Sequence, residues 1–285
     1  MADAVTRLRA SLATGNVVQA PGVFDAVSAR LATEAGFDCL HLSGAVTSAV
    51  ELGLPDLGYL HGTDVAQLAR RITGVTNVPL IADADTGYGN ALHARRTVEQ
   101  YARAGIAGLH IEDQVSPKRC GHMAGKAVIP RDEAVQKIRA ASEADADLVV
   151  IARTDALSVL GIDEAISRVQ EYAEAGADLI FVEGATNEEM LDHIHQAVPD
   201  VGKVINVSEA DAALKPLPLD VLASCGVRLA LYPVAPLLAA AFAARNAYAA
   251  IRRDGNAAAV ARASWDELTD LLALPELLDL EKRYV

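Results

Sequence analysis

Four stretches of this chain repeat one pattern: EAGFDCLHL from Glu34, RAGIAGLHI from Arg103, EAGADLIFV from Glu174 and SCGVRLALY from Ser224. Each reads as a helix end, a glycine, a short turn and then a buried strand. Glycine just past a helix is the expected stop, because a residue without a Cβ enters the left-handed cap at little cost. A junction used four times calls for one repeated α/β architecture in place of two unlike domains.

Apolar runs rich in Val, Ile and Leu predict eight strands, at about 17–20, 37–42, 79–82, 108–111, 148–152, 179–182, 203–206 and 228–231. Helical patterns follow at 24–35, 64–73, 91–104, 131–144, 163–175, 187–197, 217–224 and 234–254. Runs that are apolar throughout imply strands covered on both faces, as in a parallel sheet. Eight βα units in about 250 residues predict a (β/α)8 barrel of the TIM type. No linker divides the chain, so residues 1–285 read as one domain. The alternative is a doubly wound open sheet, but no glycine fingerprint follows the first strand. Beyond the eighth unit, 264–284 reads as one additional helix rich in Leu and Glu. Its apolar face calls for burial, which a neighbouring subunit would supply.

The net charge of −13 argues against nucleic acid as a partner, since phosphate binding needs clustered Lys and Arg. The longest apolar run, VAPLLAAAFAA after Pro233, is too short to span a membrane and ends at Arg245. The first residues lack the apolar block of a secretion signal. Cys39, Cys120 and Cys225 are odd in number and irregularly spaced, which suits free thiols in a reducing compartment. A cytoplasmic protein is expected.

In a barrel the chemistry collects where strands end and βα loops begin. Those ends carry Ser43-Gly44, Asp83-Ala84-Asp85, Glu112-Asp113, Arg153-Thr154-Asp155, Glu183 and Asn206. Asp83 and Asp85 are two apart, so on a strand both would point to one side. With Glu112 ending the next strand, they form an all-oxygen set suited to Mg²⁺ or Mn²⁺. The competing reading has the aspartates capping the next helix or pairing with Arg153. Arg153 projects into the mouth, where a guanidinium would hold a substrate carboxylate, pair with Glu112 or Glu183, or do both. His110 reads as a supporting hydrogen-bonder and not a ligand. Ser43 and Asn206 are helix caps or substrate contacts. Asp56, in LGLPDLG, is a cap or a catalytic group.

Cys39 and Cys225 sit in apolar settings and read as packing. Cys120 differs. It lies in PKRCGHMAGKAVIP, between Arg119 and Gly121, with Lys118 and His122 two residues away on either side. Nearby cations favour a thiolate, so this thiol is suited to proton transfer; an incidental cysteine on a basic surface loop is the alternative.

At these residues the chain resembles the isocitrate lyase/phosphoenolpyruvate mutase superfamily. The likeness rests on SGAVTSAVELGLPDLGY, DADTGYGNALHARRTV, GLHIEDQVSPKRCGHMAGKAVIP, IARTDA and FVEGA, in family order from Ser43 to Ala185. The resemblance implies a (β/α)8 barrel with its last helix exchanged between subunits of a homotetramer. It implies Mg²⁺ held by Asp85, with Asp83 and Glu112 acting largely through waters. It also implies that Ser43, Gly44, Gly121, Arg153, Glu183 and Asn206 bind a small di- or tricarboxylate, and that Cys120 and His122, with Asp56, serve the chemistry. For the family's C–C lyases that chemistry is retro-aldol cleavage of a 2-hydroxy acid, with Cys120 protonating the product enediolate.

The cysteine favours a lyase, because the phosphonomutases and oxaloacetate decarboxylases of the family generally lack the C-G-H core. Phosphonomutase or phosphonopyruvate hydrolase chemistry, oxaloacetate hydrolysis or decarboxylation on the same scaffold, or a carboxylate-binding barrel without activity, are the other readings. Methylisocitrate lyases carry a glycine run where this chain has Gly44-Ala45-Val46, and an arginine where it has Leu238. The resemblance therefore leans to enzymes of the 2,3-dimethylmalate lyase type, whose substrates have two carboxylates and an apolar substituent.

Overall fold

All eight predicted strands form, and they form one parallel sheet, in the computed structural model, which describes residues 2–121, 123–210 and 215–284. The strands are β1 (Val18–Pro21), β2 (Leu40–Leu42), β3 (Leu80–Asp83), β4 (Gly108–Glu112), β5 (Val149–Thr154), β6 (Leu179–Val182), β7 (Gly202–Asn206) and β8 (Val227–Tyr232). Their order is β1-β8-β7-β6-β5-β4-β3-β2. A bridge from Gly22 to His41 brings β1 against β2, with Val23 N–H donating to the His41 carbonyl at 2.9 Å. The result is a (β/α)8 barrel. Strands β2 to β6 are buried at every position, which is why their sequences do not alternate.

The repeated junction is the conformation the sequence implied. Gly36, Gly105, Gly176 and Gly226 have φ of 83°, 82°, 97° and 74°, each between a helix end and the next strand. This region is closed to most L-residues by the Cβ.

Two features depart from the sequence reading. An N-terminal helix, Ala2–Leu12, buries Val5 and Leu8 at the end of the barrel opposite the strand C-termini. Its Arg9 pairs with Asp178, in the turn before β6, and donates to the Leu148 carbonyl beside β5. The spacing of Val5, Leu8 and Leu12 carried that signal. At the other end of the chain, the single helix expected over 264–284 is two helices, Trp265–Leu271 and Leu274–Glu281. Ala273 turns left-handed between them (φ 60°) and Pro275 follows. Proline lacks the N–H that a continuous helix would need and clashes with the preceding turn.

Neither of these short helices buries a residue, and Ala235–Asp254 buries only Ala250. Phe242, Tyr248 and Trp265 are 65%, 72% and 75% exposed, far more than aromatic side chains in a covered face.

The junctions give a paired test. A Cβ on Gly36 would meet nothing within 4 Å, whereas one on Gly226 would lie 2.5 Å from His195 Nδ1. Gly36→Ala is expected to cost about 1 kcal/mol from backbone strain alone. Gly226→Ala is expected to cost about 1 kcal/mol more, through the clash. Urea midpoints measure both, and equal costs would contradict the reading.

Candidate active site

The C-terminal ends of the strands gather a dense set of buried charges. Asp83 ends β3, and its Oδ2 accepts the Gly44 N–H at 3.1 Å while Oδ1 accepts the Asp85 N–H at 2.9 Å. Asp85 lies beyond the strand, with φ 43°. Strand alternation therefore does not bring the two aspartates together. A tight turn held by the Asp83 carboxylate does, in a region of φ that aspartate tolerates better than most residues. Both carboxylates converge on Gly44, where a Cβ would stand 2.7 Å from Asp83 Oδ2 and 3.2 Å from Asp85 Oδ1. The following helix, Ala91–Arg103, is capped by Asn90, so the aspartates do not cap it.

Lys118 supplies the charge facing them. Its buried ammonium lies 2.7 Å from Asp56 Oδ1 and 3.0 Å from Asp85 Oδ1. Asp56 is thus an ion-pair partner and not a helix cap. Burial pushes the Asp85 carboxyl up to about 7, with the Asp83 charge adding and Lys118 opposing. Burial acts on Asp83 in the same direction, but His110, Lys118 and Arg153 outweigh it and hold that carboxyl below its usual range. Asp83 is the ionised member of the pair.

Arg153, near the end of β5, is enclosed by acids. Its Nε donates to Asp155 Oδ2 at 2.9 Å and lies 3.2 Å from Glu112 Oε2. Nη2 donates to Asp155 Oδ1 at 3.1 Å, and Nη1 lies 3.5 Å from Glu183 Oε2. The guanidinium also stands 5.2 Å over the Phe181 ring. The open choice between Glu112 and Glu183 resolves as both, with Asp155 the closest partner. Burial raises the Glu112 carboxyl well above its usual range; Arg153 pulls it down and Asp155 pushes it up. Asp155 is itself fixed by its neighbour Asp113, whose Oδ1 accepts the Asp155 N–H at 2.9 Å. Asp113 Oδ2 takes Thr154 Oγ1, Arg168 Nη1 and the Tyr172 hydroxyl at 2.6, 3.0 and 2.8 Å.

The loop 115–127, described except at residue 122, places Lys118, Cys120 and Gly121 at this mouth. It leaves and returns through a bridge between Gln114 and Val128, with Val115 N–H donating to the Ala127 carbonyl. The Gln114 side chain grips Arg119, accepting its N–H at 3.0 Å and donating to its carbonyl at 2.8 Å. Gly121 packs so closely that a Cβ would be 2.8 Å from both Arg153 Nη2 and Glu183 Oε1. Cys120, half-buried, lines the same pocket as Ser43, Asp56, Asp83, Lys118, Arg153 and Asn206. His122 lies outside the described residues. Of the cations near the thiol in sequence, Lys118 pairs with Asp56 and Asp85, and Arg119 Nη1 lies 3.5 Å from the Ala124 carbonyl. Cys39 and Cys225 are fully buried, as expected of packing residues.

The floor of the pocket is a histidine pair. His41 Nε2 and His110 Nε2 are 3.1 Å apart, and His110 meets the Phe181 ring edge-on at 6.0 Å. His110 Nδ1 also lies 3.4 Å from Asp83 Oδ1. Burial pushes the His41 imidazole down to about 3, with His110 adding. Burial lowers His110 as well.

Ser43 precedes the short helix Gly44–Thr47, but its side chain makes no capping bond there. Asn206 Oδ1, Glu112 Oε1 and Glu183 Oε2 are buried without a hydrogen-bond partner. Such groups are rare unless a water, ion or ligand completes them. Sequence reasoning did not single out Asp155, Lys118, Lys126, His41 or Phe181 as site residues, although all but His41 lie within the motifs that carry the family resemblance.

Among the described residues, no three of His, Cys, Asp and Glu come together as direct ligands of one ion. Asp83, with both oxygens on backbone N–H groups, is spent structurally. A hard divalent cation still fits: Asp85 offers a buried carboxylate, Glu112 an unpartnered oxygen, and Mg²⁺ usually keeps several waters. The pocket measures about 120 Å³. A larger cleft of about 390 Å³ opens at the opposite end of the barrel, lined by Arg9, Asp178 and Arg228, away from the strand ends that carry the acids.

The family model described as phosphoenolpyruvate phosphomutase matches residues 8–252. The chain is 38% identical to 2,3-dimethylmalate lyase of Eubacterium barkeri, over 99% of this chain and 98% of that one. It is 44% identical to 2-methylisocitrate lyase of Escherichia coli, over 87% and 84%. Among solved structures, oxaloacetate acetylhydrolase with the inhibitor 3,3-difluorooxalacetate superposes with a TM-score of 0.91 at 35% identity, covering 99% of this chain and 97% of that one. Phosphonopyruvate hydrolase with oxalate and Mg²⁺ gives 0.86 at 33% identity, covering 98% of each.

The buried histidines predict acid sensitivity. His41 stays neutral in the folded protein down to about pH 3, whereas an unfolded histidine takes a proton near 6.5. Between those values the unfolded state binds more protons, so stability falls as pH falls. From pH 7 to pH 5 this one group is expected to remove about 2 kcal/mol. Urea unfolding at both pH values, on wild type and His41→Gln, measures it. An equal pH dependence in the two proteins would contradict the assignment.

Proposed function

The chain belongs to the phosphoenolpyruvate phosphomutase family and is a carbon–carbon lyase within it, and from this premise we propose that it cleaves a 2-hydroxy dicarboxylate carrying an alkyl substituent. The products are an α-keto acid such as pyruvate and a second carboxylate. The observation that carries the reading is the closed loop, which sets Cys120 on a pocket shared with Arg153 and the unpartnered Asn206 oxygen.

Arg153 receives the carboxylate beside the reacting carbon, and Ser43 and Asn206 bind the hydroxyl and carboxylate oxygens. Glu112 and Glu183 hold the guanidinium in place while doing so. Asp85 would hold Mg²⁺, or Mn²⁺, with Glu112 and Asp83 reached through waters. That ion would supply positive charge for the anionic oxygens of substrate and product. In the bond-breaking step the C2 hydroxyl gives its proton to a carboxylate of the pocket wall and the C2–C3 bond breaks. C2 becomes the carbonyl of the keto acid, and the electron pair passes to the enediolate of the other fragment. The Cys120 thiol then gives its proton to the enediolate carbon, inside a loop that excludes water. Asp56 keeps Lys118 against Asp85 and so sets the charge beside the substrate.

The alkyl substituent follows from the far end of the pocket, lined by Leu231, Pro233, Val234 and Ala210. Leu238, which stands where a third-carboxylate arginine would be sought, is 53% exposed. We further propose a homotetramer, its contacts made by the exposed faces of the helices beyond β8. No helix among the described residues is long and apolar enough to cross a membrane.

Keto-acid release from a panel of 2-alkylmalates, with and without Mg²⁺, tests the reaction. Release is expected with alkylmalates and to be lost on chelation. Turnover of oxaloacetate or phosphonopyruvate with no turnover of any malate would contradict it. Cys120→Ser is expected to lower kcat about a hundredfold or more while oxalate still binds. Unchanged cleavage would remove Cys120 from the mechanism.

A further inference from the structure

Lys126 lies at the far end of the loop from Lys118, and the carbon–carbon cleavage chemistry gives it no role. Its side chain is nonetheless only 6% exposed. The ammonium bridges two groups: Asp155 Oδ1 at 2.8 Å and the Gly121 carbonyl at 2.8 Å. Asp155 is fully buried, and the same carboxylate holds Arg153 through two hydrogen bonds. Gly121 follows Cys120 directly and packs on Arg153 and Glu183. One carboxylate therefore grips the substrate-binding guanidinium on one side and the loop carrying the thiol on the other.

We propose that Lys126 is a positioning residue: a latch that seats the loop 115–127 by tying the Gly121 carbonyl to Asp155, and so registers Cys120 against Arg153. The anchor is rigid. The Asp155 N–H is fixed by Asp113, which Arg168, Tyr172 and Thr154 hold in turn. The other grips on the loop lie nearer its ends, at Gln114 with Arg119 and at Lys118 with Asp56. Lys126 reaches its centre, at the Gly121 carbonyl. Both of its bonds are made by an ammonium, and charge-assisted bonds of this kind are the stronger class.

The inference rests on the proposed role of the loop, so its test separates the two. Lys126→Met keeps the length and apolar stem of the side chain and removes the ammonium. Hydrogen exchange across the loop is expected to quicken about tenfold or more, with exchange in the barrel strands unchanged. With a 2-alkylmalate, kcat is expected to fall about tenfold or more, while KM stays within about threefold, because Arg153 keeps both bonds to Asp155. Lys126→Arg, which restores a cation, is expected to recover part of the exchange protection and of kcat. Unchanged loop exchange in Lys126→Met would overturn the latch, and faster exchange with unchanged kcat would overturn its coupling to the chemistry. Cys120→Ser is expected to leave loop exchange as in wild type. A failure of Cys120 as the acid therefore reads differently from a failure of the latch.

Discussion

The structure turns on an imbalance of buried charge. Asp56, Asp83, Asp85, Glu112, Asp155 and Glu183 meet at one end of the barrel, and among the described residues the cations facing them are Lys118, Lys126 and Arg153. Carboxylates in so dry a place are stable only if paired, hydrogen-bonded or protonated. The protein resolves the excess unevenly. Asp83 is ionised, held by backbone N–H groups and nearby cations, and Asp155 is ionised against Arg153 and Lys126, whereas Asp85 and Glu112 are pushed toward holding a proton. Added positive charge, from a divalent ion or from Arg153 turned toward substrate, is what this arrangement stabilises. The same arrangement disfavours any closed state in which the loop cations are withdrawn.

That dependence explains why the loop belongs to the site and does not merely cover it. Its two lysines reach down to different acids, Lys118 to the Asp56–Asp85 side and Lys126 to Asp155. The seated loop sets two ammonium groups against the acids and Cys120 on the pocket. Electrostatics and water exclusion arrive together.

Much of this was legible in the sequence because it depends on local rules. The glycine junctions declared the barrel, since left-handed caps have few alternatives, and the strand boundaries followed to within a few residues. Strand ends named most of the acids, because chain order places them at one face. What stayed hidden depended on backbone turns and on charges meeting across the fold. Strand alternation suggested the approach of Asp83 and Asp85, but a turn with positive φ at Asp85 produces it. Lys118 and Arg119 suggested a tuned thiol, yet side-chain direction sends Lys118 to two aspartates. No local signal joins Asp155 to Lys126, 29 residues earlier. The break at Ala273 was readable from Pro275, and the N-terminal helix from the spacing of Val5, Leu8 and Leu12.

The central claim is that this acid-rich mouth is built to take a divalent cation together with a small carboxylate. Calorimetric titration of Mn²⁺ into the protein tests it most directly, with and without oxalate, on wild type and Asp85→Asn. The account predicts one site per chain in wild type, tightened by oxalate, and at least about a tenfold loss of affinity in Asp85→Asn. Binding that is absent in wild type, or equal in the two proteins, would contradict it.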